Sequence, residues 1–413
     1  MIKKSLSLFL TVALLASCVG LSSCNNNKPQ ESTQSSENVS NTSSKESVVV
    51  EKKDEEGGLT AEQKKELSEK IQKYGEQAVF APSLSTIDAP SITEDKNILL
   101  VTDSIHNEYN GLISETFATA AKKAGFVNVV SYDTDGTDSI YLEALDTVLG
   151  NYDCVALFGN IDKDKLGSEI EVIQSNGVPV FSAGNVQVGE KEHYVDGSMG
   201  WDYEQAGSLL LDWLSYNQNG KVKALVVTCT DDNTSNSVYR GFAKDFEKYV
   251  KQGYCTEVKA RSSEIGSDLK SKIETALKKD SNINCVVVMN QDLISDTVYA
   301  LEAGNYRDSV TFVSVGGSAE SFAEVENGNI DMIVAQSYEA VAYGFVDYCM
   351  RGLSSTVPES ENLPMRIFTA ETIAAEKTEP SEDLEDIEGD VEYYRYAFES
   401  IFSEGYPTLW SLE

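Results

Sequence analysis

Residues 285–301 read CVVVMNQDLISDTVYAL. Five apolar residues, Cys285–Met289, follow the polar Ser281–Asn284; Asn290, Gln291 and Asp292 come next, and apolar residues at helical spacing begin at once. A short continuous apolar run of this kind reads as a strand buried on both faces. A strand that feeds directly into a helix is half of a βαβ unit. Polar amides and a carboxylate at the tip of such a strand stand where open parallel sheets bind ligands.

Outward from this corner the alternation continues in both directions. Toward the N-terminus, Ile98–Thr102, Val127–Tyr132, Cys154–Phe158 and Val178–Ser182 read as strands. Helical patterns at Asn110–Ala124, Ser139–Leu149 and Asp164–Ser175 separate them, and Gly125 stops the first helix. A second series has strands at Val222–Thr228, Thr256–Ala260, Cys285–Met289, Val310–Val315 and Met332–Ala335, with a last one at Met365–Thr369. Its helices are expected at Asp202–Tyr216, Val238–Val250, Ser267–Lys279, Leu293–Glu302, Ala319–Val325 and Tyr338–Met350. The spacing predicts right-handed crossovers and an α/β fold of two doubly wound parallel sheets. A length of 413 residues also calls for more than one core. The ligand then belongs in the cleft between the two units.

Composition narrows the function. Lys and Arg number 33 against 67 Asp and Glu, a formal charge of −34, so phosphate backbones and anionic membrane surfaces are repelled and no nucleic-acid partner is expected. The only histidines, His106 and His193, supply little for multi-histidine metal sites or Ser-His-Asp chemistry. No nucleophile–base pair or metal set can be assembled, so neither an enzyme, a metal nor a cofactor is expected. The seven cysteines include no C-x-x-C pair, and Cys154, Cys229, Cys285 and Cys349 lie in or beside apolar runs, as buried free thiols do.

The N-terminus reads as an address. Met1–Lys4 carry positive charge, and Leu6–Ala16 form an apolar segment too short to span a bilayer. Leu21-Ser22-Ser23-Cys24 and Leu15-Ala16-Ser17-Cys18 both resemble the bacterial lipobox. Cys24 is preferred for lipidation, with Cys18 the alternative, because Asn25–Asn27 turn polar directly after it. Residues 1–24 are then a lipoprotein signal peptide. Residues 25–58, rich in Ser, Asn, Glu, Lys and Thr without aromatics, are a disordered tether. Thr60–Tyr74 reads as a short helix whose packing partner the sequence does not name. Residues 376–413 form an acidic and then aromatic extension, acidic over Glu376–Glu392 and aromatic over Tyr393–Trp410.

Residues from about 95 to 370 resemble the type I periplasmic binding proteins, particularly the ribose-binding branch that serves sugar ABC transporters. The resemblance is carried by ILLVTDSIHNEYNGLISETFATAAKKAG (98–125), NGVPVFSAGN (176–185), DYEQAG (202–207), VYRGF (238–242), VVVMNQD (286–292) and GNIDMIVAQSYEAVAYG (328–344). It implies an N-terminal lobe of 95–198 plus 338–356 and a C-terminal lobe of 201–336 plus 364–375. Three hinge crossings would join them, near Gly197–Gly200, Gln336–Ser337 and Ser354–Pro364, and the lobes would close on a ligand.

Carried over residue by residue, Asn290 matches the asparagine of the family's Asn-Asp corner, with Gln291 in place of the acid. Gln336 matches the hinge glutamine, and Asn107 and Tyr109 stand at the loop where the family stacks an aromatic ring on the sugar. The family's charged clamps are replaced: its Asp-Arg pair by Gly184-Asn185, an arginine by Asn236 and an acid by Gly316. Asn160, Asn185, Asp231, Asp232 and Asn236 remain as polar groups for the rim, and the glycines at 184 and 316 leave room for a larger ligand. Charge-assisted contacts orient a sugar, so their loss puts ribose itself in doubt.

The expected function is an extracytoplasmic solute-binding lipoprotein, monomeric, held to the bacterial membrane by its lipid. It would hand a small polar, sugar-like ligand to an ABC permease. A nucleoside-binding lipoprotein and a ligand sensor docking on a receptor kinase are the alternatives.

Overall fold

The computed structural model describes residues 57–82, 84–105, 108–159, 163–184, 195–356, 361–380 and 394–412. The signal peptide, the lipobox cysteines, nearly all of the tether, Asn107, Asn160 and Asn185 lie outside these residues, as do residues 381–393, which take in most of the acidic run.

In chain order the elements begin with α1 (Ala61–Gly75), β1 (Ile87–Asp88) and α2 (Ala89–Thr93). A first alternating series follows: β2 (Asn97–Thr102), α3 (Glu108–Ala124), β3 (Asn128–Asp133), α4 (Asp138–Asp146), β4 (Cys154–Phe158), α5 (Lys163–Ser175), β5 (Val180–Ala183) and β6 (Gly197–Gly200). The second comprises α6 (Tyr203–Asn217), β7 (Lys223–Cys229), α7 (Asn233–Lys244), α8 (Phe246–Tyr249), β8 (Tyr254–Ala260), α9 (Asp268–Lys279), β9 (Cys285–Val288), α10 (Ile294–Ala303), β10 (Thr311–Gly316), α11 (Ala319–Glu326) and β11 (Met332–Gln336). The chain ends with α12 (Tyr338–Leu353), β12 (Glu361–Asn362), β13 (Met365–Phe368), α13 (Ala370–Glu376), β14 (Lys377–Pro380), β15 (Tyr394–Tyr396), α14 (Ala397–Gly405) and β16 (Trp410–Ser411).

Two six-stranded sheets result. The first runs β3-β2-β4-β5-β6-β12 and is parallel throughout; the second runs β8-β7-β9-β10-β11-β13. Each places its second strand outside its first and the rest on the other side, so the winding reverses between β2 and β4 and again between β7 and β9. The central strands, such as β2, β4, β7 and β9, are buried on both faces because helices cover both. In the first sheet Ile98, Leu100, Cys154 and Ala156 face one core, while Leu99, Val101, Val155 and Leu157 face another with Tyr141, Leu145 and Ile170. This is the two-residue alternation of a strand buried twice.

The structure departs from the sequence reading in three places. Gly197–Gly200, read only as a crossing, is a strand held between β5 and the edge strand β12. The last strand, β13, runs antiparallel to β11, so the second sheet is mixed at its edge. The helix expected at Val238–Val250 starts at Asn233, where the Asp232 carboxylate accepts from the Thr234 and Ser235 N–H groups at 3.1 and 2.9 Å; it breaks at Asp245.

The flanking segments pack on the body. In α1, Thr60 and Gln63 form a capping box, Leu67 is fully buried, and Lys70 reaches the buried Asp212 of α6 at 2.5 Å. Arg366 of β13 donates to the Gly75 carbonyl at 3.3 Å. At the other end, α14 lies on α12 and stacks Phe398 edge-on against Phe368 of β13. Phe80 packs on Phe402 and Tyr406, and β16 pairs in parallel with β1. Asp347 anchors this side: buried in α12, it accepts from Arg351 Nε at 2.6 Å and from Trp410 Nε1 at 2.9 Å, while the Trp410 ring stacks on Tyr343. Removing one member of a buried, hydrogen-bonded ion pair strands the other. Asp347→Ala is therefore expected to cost about 3–5 kcal/mol, read as a lower thermal midpoint together with exposure of the Trp410 indole to quencher.

Candidate functional site

The carboxyl ends of both sheets meet around one cavity of ≈ 160 Å³. The first sheet's side contributes Asp103 from the β2–α3 connection, Tyr109 and Asn110 from the first turn of α3, Phe158 and Gly159 from the end of β4, and Gly184 after β5. From the second come Asp232 and Thr234 after β7, Asn290, Gln291 and Asp292 after β9, and Gln336 at the tip of β11. Trp201 and Tyr203 stand where the chain leaves β6 for α6. The lining thus collects at the edge where the doubly wound topology reverses, on both sheets.

Of the residues singled out in the sequence, Tyr109, Asn290 and Gln336 line this one cavity. Tyr109 is buried and tilts against Trp201, ring centroids 6.2 Å apart, and Trp201 tilts in turn against Tyr203 at 6.2 Å. Burial pushes the Tyr109 and Tyr203 hydroxyls well above the ordinary phenol range, so both stay protonated. Tyr203 donates to the Gly184 carbonyl at 3.0 Å. Gln336 is 8% exposed.

Asn290 holds two positions at once. Its Oδ1 accepts from the Asp292 N–H at 3.0 Å, capping the short turn Gln291–Leu293, and its Nδ2 donates to Asp232 Oδ2 at 2.5 Å. The cap and the cavity wall are therefore the same side chain. On the opposite wall Asp103 accepts from the Tyr141 hydroxyl at 2.9 Å, and Gly159 backs directly onto it. A Cβ at 159 would stand 2.3 Å from Asp103 Oδ2, and the φ of +112° already favours glycine.

Other expectations are corrected. Asp231 is exposed and outside the lining, where it accepts from the Cys229 thiol at 3.1 Å and the Ser262 N–H at 2.9 Å. Those contacts hold its carboxyl below the usual range. Asn236, also outside the lining, donates to the Thr230 carbonyl at 3.3 Å. Gly316 opens no space either, since a Cβ there would meet Ser321 Oγ at 2.7 Å. The cavity, at ≈ 160 Å³, is small beside the ~300–1,000 Å³ of drug-sized sites. Asp232, named for the rim from the sequence, lines the cavity, whereas sequence reasoning missed Asp103, Trp201 and Tyr203; Asp103 was detectable as the polar residue ending the run ILLVTD.

Among the described residues the lining holds three carboxylates and neither lysine nor arginine. Nor do the described residues include a group of three or more His, Cys, Asp or Glu able to hold a metal ion.

A family model described as a periplasmic binding protein domain matches residues 98–354. The chain belongs to this family. Solved structures share the fold at low identity. An ABC transporter solute-binding protein from Bacillus halodurans C-125 with bound myo-inositol is 15% identical at a TM-score of 0.60, covering 68% of this chain and 97% of its own. A galactofuranose-binding protein is 15% identical with a TM-score of 0.60, covering 68% and 96%. The binding component of an arabinose ABC transporter from Shewanella sp. ANA-3, bound to arabinofuranose, is 15% identical with a TM-score of 0.58, covering 68% and 94%. No curated protein matches the chain.

A Cβ at Gly317 would lie 2.4 Å from the Gln336 carbonyl oxygen and 3.2 Å from the Tyr109 ring. Gly317→Ala is expected to destabilise by about 1–3 kcal/mol, as overpacking does, and to weaken ligand binding by shifting both walls. Thermal unfolding and calorimetry measure the two effects.

Proposed function

We propose that this protein is the solute-binding component of an ABC importer and that it captures a small neutral carbohydrate or cyclitol by hinge closure. One observation carries the reading: amides, carboxylates and aromatic rings from the carboxyl ends of both sheets converge on one small cavity. Carboxylates and amides accept and donate to hydroxyls, and flat rings pack on the apolar faces of a sugar. Three carboxylates in the lining repel phosphorylated or acidic ligands. The myo-inositol, galactofuranose and arabinofuranose named for the structural neighbours are of the size and polarity this cavity suits.

Two lobes, 95–198 plus 338–356 and 201–336 plus 364–375, would swing about the three crossings, and a ligand that bridges the walls would shift the population toward the closed form. The permease would read that closure. The chain carries out no reaction in this scheme. Its N-terminal signal leaves it outside the cytoplasm on a lipid attached to Cys24, and intact mass of the mature protein is expected to start at that cysteine and to include acyl chains. A mass without acyl groups contradicts the anchor.

The function itself is tested by thermal unfolding of the full chain against pentoses, hexoses, inositols, oligosaccharides and nucleosides. A native-state ligand at a hundredfold excess over its Kd adds about 2.7 kcal/mol. A monosaccharide or inositol is expected to raise the midpoint, and Asn290→Ala and Gln336→Ala are expected to abolish the rise. A rise with nucleosides alone moves the assignment to the nucleoside-binding proteins.

A further inference from the structure

Beyond the three expected crossings, the chain passes once more from one series of elements to the other. Helix α1 sits on the second series. Lys70 pairs with Asp212 of α6, Gln63 Nε2 donates to the Lys248 carbonyl at 2.8 Å, and Arg366 of β13 holds the Gly75 carbonyl at 3.3 Å. The next elements, β1 and α2, sit on the first series. Arg351 of α12 donates through Nη2 to the Ser85 carbonyl at 2.8 Å, and the Thr93 hydroxyl donates to the Ala124 carbonyl of α3 at 3.0 Å. Between the two holds stands Phe80, and the C-terminal segment clasps it. Its ring meets Phe402 and Tyr406 edge-on, with centroids 6.4 and 4.9 Å apart, and a Cβ at Gly405 would stand 2.4 Å from it. That segment is itself fixed to α12. Trp410 donates to Asp347, and a Cβ at Gly344 would lie 3.1 Å from the Tyr406 hydroxyl.

We propose that this passage, clasped at Phe80 by the C-terminal segment, is a tie that limits how far the two lobes part. The inference rests on the two-lobe reading above and adds to it a stop. Chain length gives the stop its size. With Gly75 and Phe80 both held, the five steps of chain between them reach at most about 18 Å. With Phe80 released, the next hold is Ser85, and ten steps reach about 36 Å. One aromatic clasp therefore sets the slack. The arrangement so held is one in which the two series touch, since the Tyr203 hydroxyl of α6 reaches the Gly184 carbonyl that follows β5. A tie that trims the widest open forms raises the fraction of the protein near closure. Apparent affinity rises in proportion to that fraction.

The test is pulsed electron resonance on the ligand-free full chain, with spin labels on cysteines placed at Val172 of α5 and Tyr299 of α10 and with Cys255→Ser. Two variants are compared with this parent. Phe80→Ala opens the clasp. Insertion of Gly-Ser-Gly between the exposed Glu76 and Gln77 keeps the clasp and lengthens the crossing. Both are expected to give a longer and broader ligand-free distance distribution. Calorimetry with myo-inositol, L-arabinose, D-ribose, D-galactose and D-glucose supplies a second readout: the tightest binder is expected to weaken by about fivefold in both variants, although neither change touches a cavity residue.

Ligand-free distributions that coincide with the parent's in both variants overturn the tie. If a sugar still shortens those distributions, hinge closure stands without it; if no sugar moves any of them, closure falls as well. Should Phe80→Ala lose its thermal transition, the insertion decides, because it leaves every packed side chain in place.

Discussion

Two consecutive residues, Gln336 and Ser337, tie the parts of this structure together. Gln336 is the last residue of β11 and turns its side chain into the cavity wall; Ser337 caps α12 by accepting from the Ala340 N–H at 3.0 Å. The Ser337 hydroxyl is in turn bonded to the carboxylate of Glu399 on α14, which also accepts from the Glu339 N–H at 3.4 Å. Glu399 and Ser337 are both fully buried. A buried carboxylate is stable only while its hydrogen bonds hold, so the C-terminal segment is fixed to the junction between the cavity and the next helix. Any motion of β11 relative to α12 is felt by α14, and α14 also packs on Phe368 of the second sheet.

The cavity follows from topology before it follows from particular side chains. In a doubly wound sheet the loops after the strands diverge on either side of the reversal, and here the loops of two such sheets meet. What distinguishes this chain is the chemistry placed there. The charge that lines the cavity comes from Asp103, Asp232 and Asp292. Asp232 caps a helix and receives Asn290, and Asp103 receives Tyr141, so these carboxylates are held in place by the scaffold. Held carboxylates and fixed aromatic rings suit a ligand recognised by the pattern of its hydroxyls.

Much of the fold was legible because strands such as Cys154–Phe158 and Cys285–Val288 are apolar on both faces and helices such as α9 keep their spacing. Gly197–Gly200 was not, since Gly-Ser-Met-Gly has no strand character of its own and is ordered by its neighbours β5 and β12. The start of α7 was hidden because Asn233–Asn236 carry no apolar period, and only the Asp232 cap marks it. The N-terminal extension was legible as a helix over Thr60–Tyr74, but not its packing: the partners of Leu67, Phe398 and Trp410 are distant in sequence. In the site, Asn290 and Gln336 were found through strand ends and family pattern. Trp201 and Tyr203 escaped because they open a helix after a strand that was itself missed.

The central claim, that the two sheets belong to units that close on a ligand held between them, is tested most directly by a distance. Val172 on α5 and Tyr299 on α10 are each 54% exposed and lie in the first and second series of elements. Cysteine-attached spin labels at these two positions, with the exposed Cys255 replaced by serine, report their separation by pulsed electron resonance. A saturating sugar that stabilises the protein should convert a broad distribution into a shorter, narrower one. A distribution unchanged at saturation would contradict closure and leave a rigid binding cleft in its place.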